Sequence, residues 1–246
     1  IKCKTLLKTV FVKSIFMRII HKAPETGAPY SEKALKRIAY HEAGHAIVAR
    51  TLPNTDPVHQ ITIIPRGSAG GFTMILPKED NYYGTKTKMT EQIVHLLGGR
   101  VAEKLVLDDV SSGASNDIEQ ATKLARAMIT RLGMSDTFGM MALETQSGQY
   151  LSGDSNLVCS DQTAARIDVE VKQIIANCYE QAYQILSDNK EKLHETAKVL
   201  LEKETITGME FMAILAPNQL PSAETEKAEE KPEEKPDDSA DDVEVK

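Results

Sequence analysis

The sequence predicts a mainly α-helical protein with one small β-hairpin or sheet. Three observations lead there. Apolar residues recur at helical spacing through six segments between Ser31 and Leu215. Strand-like alternation is confined to two short stretches, Val58–Ile64 and Gly71–Leu76. Proline and glycine punctuate the junctions between them.

The chain has 246 residues, 41% hydrophobic and 26% charged, enough to bury a core. No apolar run approaches the ~20 residues of a membrane span, and the chain itself reads as soluble. The net charge of −7 is unevenly placed. After Pro221 lie 11 of the 36 acidic and 4 of the 29 basic residues, so the remainder is neutral. A nucleic-acid footprint needs a basic body, and this body is not basic. Tryptophan is absent and aromatics are 5%, which argues against stacking platforms for single strands. Cys3, Cys159 and Cys178 are widely spaced and form no CxxC pair, which suits a reducing compartment, and none of the three has the look of a metal ligand. The first residue is not Met, as expected of a fragment or a processed product.

Residues 1–22 are basic and lack a signal-peptide core, and 23–29 read as a linker. Ser31 caps a first helix that Pro53 and Pro57 end. The hairpin follows, turned at Pro65-Arg66-Gly67. Thr90 opens a second helix to about Leu107, and Gly98-Gly99 inside it predict close packing of backbones. Asn116 with Glu119 forms a capping-box-like start for a third helix, and Gly133 stops it after Leu132. Residues 134–159 read as loop, with Met128, Met134, Met140 and Met141 as core fillers. Helices follow at about Asp161–Ser187 and Asn189–Lys203. Thr207 with Glu210 caps a last short helix to about Leu215. From 217 the Pro/Glu/Lys/Asp-rich tail predicts disorder. The organisation is thus 1–29 as a segment of undefined role and linker, 30–216 as the folded domain, and 217–246 as an acidic tail.

The sharpest chemical signal is His41-Glu42-Ala43-Gly44-His45. Histidines at i and i+4 stand one turn apart on the same helix face, so both imidazoles reach one ion. Glu42 between them can take a proton from water at that ion. This is the HExxH pattern of zinc peptidases. A catalytic zinc needs a third protein ligand and an open position. Spacing leaves His59, His95, Glu103, Asp108, Asp109 and Asp117 all open for it. Asp117 has one extra feature, a place in the first turn of a helix where a cap fixes its direction.

From about Tyr30 to Leu215 the chain resembles the protease domain of the FtsH family of membrane-anchored, ATP-dependent zinc metalloproteases. The resemblance rests on AYHEAGHAIVA, DPVHQITIIPRG, GGFTMILP, LLGGRVAEKLV, SSGASNDIEQATKLARAMITRLGMSD and LLEKETITG, in that order. It implies zinc held by His41, His45 and Asp117, with Glu42 as general base. It implies a mainly helical zincin-type domain with a short sheet beside the zinc. It also implies an edge strand, here Gly71, Phe72, Thr73 and Met74 onward to Leu76, that binds substrate by adding a β-strand. Partners follow from the same source: polypeptide substrates, an AAA ATPase module in the parent protein or partner subunits, and a homo-hexamer. So does a place at the cytoplasmic, matrix or stromal face of a membrane. The chain has no GxxxxGK[ST] loop, a departure from the family's full architecture. Two other readings stay open at this point: a catalytically silent scaffold or regulator, and a zinc peptidase independent of ATP.

Overall fold

The computed structural model describes residues 30–65, 69–77, 83–146 and 155–215. The expected N-terminal segment and linker, the 65–67 turn beyond Pro65, Cys3 and the acidic tail lie outside the described residues.

Helix α1 spans Glu32–Thr51. Ser31 has extended backbone and its Oγ accepts from the Ala34 N–H at 3.2 Å, a side-chain N-cap. Pro53 sets the other end: the residue before a proline avoids helical angles, and Leu52 is extended. Strands β1 (Val58–Thr62) and β2 (Phe72–Ile75) pair antiparallel, with Thr62 opposite Phe72 and Ile61 opposite Thr73. Helix α2 spans Lys86–Leu107. It begins a turn earlier than Thr90, because Thr85 accepts from the Lys88 N–H and caps it.

A 3₁₀ turn at Ser112–Ala114 runs directly into helix α3, Ser115–Thr130. Asn116 is therefore inside the helix and not its cap; Ser111 caps the preceding turn instead. Helix α3 stops as expected near Gly133, which takes φ +60° while the Met134 N–H turns back to the Met128 carbonyl. Residues 134–159 are less irregular than expected, since β3 (Glu144–Gln146) and β4 (Ser155–Leu157) pair antiparallel. Met128 is buried and Met134 packs against the core, but Met140 is 98% exposed and Met141 also faces outward. Gly139, at φ +61°, turns the chain just before them and carries both side chains away from the core.

Helix α4 (Asp161–Asp188, capped by Ser160) and helix α5 (Lys190–Lys203) follow. Strand β5 (Thr205–Thr207) then pairs with β1 and completes a sheet of order β2-β1-β5. Helix α6 (Gly208–Leu215) begins with the expected capping box: the Glu210 N–H donates to Thr207 Oγ1, and the Thr207 N–H donates to Glu210 Oε2. The domain is mainly helical with a small antiparallel sheet, as the sequence predicts.

The core joins α1, α2, α4 and α5 through Ala43, Ile47, Ile93, Val101, Leu186 and Leu200, among others. Helices α1 and α2 cross where side chains are missing. A Cβ on Gly44 would lie 2.6 Å from the Gly98 carbonyl oxygen and from Ala102 Cβ, so the crossing requires glycine there. No described helix is long and apolar enough to cross a membrane.

Candidate metal centre

The α1–α2 crossing places His41 and His45 against the backbone of α2, and the first turn of α3 brings in Asp117. Nε2 of His41 and Nε2 of His45 lie 3.1 Å apart. Asp117 Oδ2 lies 3.3 Å from the first and 3.5 Å from the second. Among the described residues these three form a cluster able to hold a metal ion.

The tautomers explain why this geometry asks for a cation. His45 Nδ1–H donates to the His95 carbonyl at 2.9 Å, and His41 Nδ1–H donates to Glu103 Oε1 at 2.8 Å. With both rings in the neutral form that metal binding requires, each turns its Nε2 lone pair toward the other and toward a carboxylate oxygen. In that form three electron pairs converge with no donor among them. A tetrahedral ion with bonds of about 2.0–2.2 Å keeps its ligand atoms roughly 3.3–3.6 Å apart, close to the spacing here. The residues therefore fit zinc in both donor type and spacing.

With no ion present the same centre favours a proton on His41 instead, which a bound cation would displace. Burial alone would lower the His41 pKa, but the carboxylates of Asp117 and Glu103 outweigh it and hold the ring at about 9. Burial would likewise raise Asp117, yet its bonds to His41 and His45 keep it below the ordinary carboxylate range. The Glu42 carboxyl moves the other way: burial pushes it up against the pull of His45, His41 and Thr73.

The six candidates for a third ligand separate by place. Asp117 joins the two histidines. Glu103, 1% exposed, stands behind His41 and binds the opposite ring nitrogen. Its carboxylate also accepts from Arg37, from the Ser111 N–H and from Ser111 Oγ. Burial would raise its pKa, but the bonds to His41 and Ser111 bring it to about 2. His95 holds His45 through its carbonyl and returns its own Nδ1–H to the His45 carbonyl at 3.1 Å. Burial lowers the His95 pKa to about 3, so its ring is neutral. Asp108 pairs with Lys104, Asp109 pairs with Arg37, and His59 is exposed on β1. Metal-bound histidines commonly gain orientation from such partners on the second nitrogen.

Sequence reasoning did not anticipate several supports. Arg100 donates to the Ser111 carbonyl at 2.7 Å, which ties α2 to the turn that launches Asp117. Arg37 bridges Glu103 and Asp109. Nothing in the local sequence of Arg37, Arg100 or Ser111 signals these long-range roles. Gly98-Gly99 did carry a signal: both glycines sit at close approaches, Gly98 to Gly44 and Gly99 to His41. The strand segment of Gly71, Phe72, Thr73 and Met74 lies beside Glu42, with Thr73 Oγ1 2.8 Å from Glu42 Oε2.

Residues 29–214 match the family model described as "Peptidase family M41". The chain is 55% identical to the ATP-dependent zinc metalloprotease FtsH 1 of Thermoanaerobacter sp. over 74% of its own length and 30% of that protein. It is 51% identical to the ATP-dependent zinc metalloprotease FtsH of Caldicellulosiruptor bescii, covering 78% of this chain and 32% of that one. Against the Bacillus subtilis protein of the same name the identity is 41%, over 83% and 33%. The chain thus spans about a third of the length of these relatives. A match across this whole helical body, and not at the HExxH segment alone, shows that the chain belongs to peptidase family M41.

Proposed function

We propose that residues 30–216 are the proteolytic domain of an ATP-coupled zinc metalloendopeptidase that hydrolyses unfolded or membrane-extracted polypeptides. The observation that carries this reading is the convergence of His41, His45 and Asp117 beside the buried carboxylate of Glu42. His41, His45 and Asp117 hold zinc, each histidine through Nε2. Zinc, when bound, supplies a Lewis acid that polarises the peptide carbonyl and makes water acidic enough to attack at neutral pH.

The chain's own residues do the rest. Glu103 and the His95 carbonyl keep the two imidazoles in the tautomer that leaves Nε2 free. Glu42 accepts the proton of the attacking water and returns it to the amide nitrogen as the C–N bond breaks. Burial raises the proton affinity of its carboxylate, which suits a group that must both take and give a proton near neutral pH. Strand β2 with Gly71 aligns an extended substrate by main-chain pairing, which reads backbone more than side chains. The FtsH names of the relatives support an ATPase module in the parent protein or in partner subunits. The reading includes a hexameric assembly at the cytoplasmic, matrix or stromal face of a membrane. Segments 1–29 and 217–246 flank the catalytic domain.

The test is cleavage of casein by this chain, alone and joined to an ATPase-bearing relative. Metal-dependent cleavage that Glu42→Gln abolishes is the expected result. Zinc bound without cleavage in either format would point to a silent scaffold. Rapid cutting of short peptides with no gain from the ATPase would point to an ATP-independent peptidase.

A further inference from the structure

Strand β2 also touches the site through a side chain. Thr73 Oγ1 lies 2.8 Å from Glu42 Oε2 and 3.1 Å from the Glu42 carbonyl oxygen. Thr73 is opposite Ile61, which is fully buried, so the pair shares the sheet face turned toward the protein interior. Two residues earlier, a Cβ on Gly71 would fall 3.0 Å from both Cγ and Oε1 of Glu42 and 2.7 Å from the Thr62 carbonyl. The Glu42 side chain is thus fitted between bare backbone at Gly71 and the hydroxyl of Thr73. Among the described residues no other hydrogen bond reaches that carboxylate.

We propose that Thr73 is a positioning residue for Glu42, its hydroxyl fixing the carboxylate in the orientation from which it serves the reaction. This rests on the reading of Glu42 as the base. The terminal torsion of a glutamate is broad, so an unanchored carboxylate samples many orientations. A hydroxyl bonded to an ionised oxygen is among the stronger hydrogen bonds, and it selects one of them. Because the donor sits on β2, the strand that aligns substrate also aligns the base. The neighbours fit this assignment: Gly71 gives the carboxylate its room, and Thr73 gives it its direction.

The test is calorimetric binding of a dipeptide hydroxamate to the zinc-loaded full chain. A hydroxamate chelates zinc through its oxygens and offers a proton to an adjacent base. The variants are Thr73→Val, Thr73→Ser, Glu42→Ala and the Thr73→Val/Glu42→Ala pair, each with its zinc content measured. Thr73→Val should weaken binding roughly tenfold with zinc retained, the scale expected for a lost bond to a charged group. Thr73→Ser should stay within about twofold of wild type, and Thr73→Val should add less than about twofold in the Glu42→Ala background. Equal affinity for Thr73→Val and wild type would overturn the proposal. So would the same loss in both backgrounds, which would mark a strand-packing role. If Thr73→Val does not fold, Thr73→Ala runs through the same cycle. A zinc-loaded wild type that binds no hydroxamate would instead overturn the underlying reading of the site, and wild type alone shows it.

Discussion

Gly99 presents bare backbone to the imidazole of His41: a Cβ there would fall 2.5 Å from Nε2 and 2.6 Å from both flanking ring carbons. Any side chain at this position of α2 would displace the ring from the cluster with His45 and Asp117. Glycine costs helix stability in a helix interior, so its place here trades local stability for room at the metal centre.

Gly99→Ala should separate these two effects. Alanine favours the helix by about 1 kcal/mol over glycine, so helix content should hold. Zinc affinity should fall at least tenfold because His41 must move. Competition with a chelating dye, read beside far-UV circular dichroism, checks it; unchanged affinity would show that the ring has slack.

Glu103→Gln keeps the shape of the side chain but removes the charge that accepts from His41, Arg37 and Ser111. Loss of such a partner behind a metal-bound histidine typically lowers affinity about 10–100-fold. The same dye competition should show a fall in that range, with the fold intact.

Metal removal should be visible as stability. An ion that binds only the folded chain stabilises it by mass action. Chelation should therefore lower the thermal midpoint of the wild type. His45→Ala should show a lower midpoint already and little further change on chelation. Differential scanning calorimetry with and without chelator reads both.

Glu210 predicts a pH effect far from the metal. The Lys203 ammonium, with the N–H and hydroxyl of Thr207, holds its pKa at about 2. A carboxylate depressed in the folded state stabilises fully above its unfolded pKa of about 4.3, and the gain disappears as pH falls toward 2. The side chain is 41% exposed, so solvent screening limits the effect to roughly 0.5–1 kcal/mol, the scale of a helix cap. Glu210→Gln should cost about that at pH 7 and almost nothing at pH 2. Urea unfolding at the two pH values checks it.

Much of this was legible in the sequence because the determinants are local. Ser31 caps α1, Thr207 and Glu210 cap α6, and His41 with His45 share a helix face by spacing alone. What escaped depends on partners distant in the chain. Strand β5 is only three residues long and exists because β1 offers it an edge. Asn116 looks like a cap but is bypassed by the 3₁₀ turn before it. Met140 looks like core, yet the left-handed turn at Gly139 aims it outward. Spacing alone left Asp117, Glu103 and His95 open as third ligand, and only the family resemblance singled out Asp117. All three approach the histidine pair, but only Asp117 does so on the Nε2 side, while the other two occupy the Nδ1 atoms.

We propose that His41, His45 and Asp117 hold zinc while Glu42 acts beside it. Bound zinc measured by atomic emission, in parallel with casein cleavage, tests this in wild type, Glu42→Gln and Asp117→Ala. Zinc should be stoichiometric in wild type and in Glu42→Gln, the latter without cleavage, and largely lost from Asp117→Ala. Full retention of zinc by Asp117→Ala would contradict it.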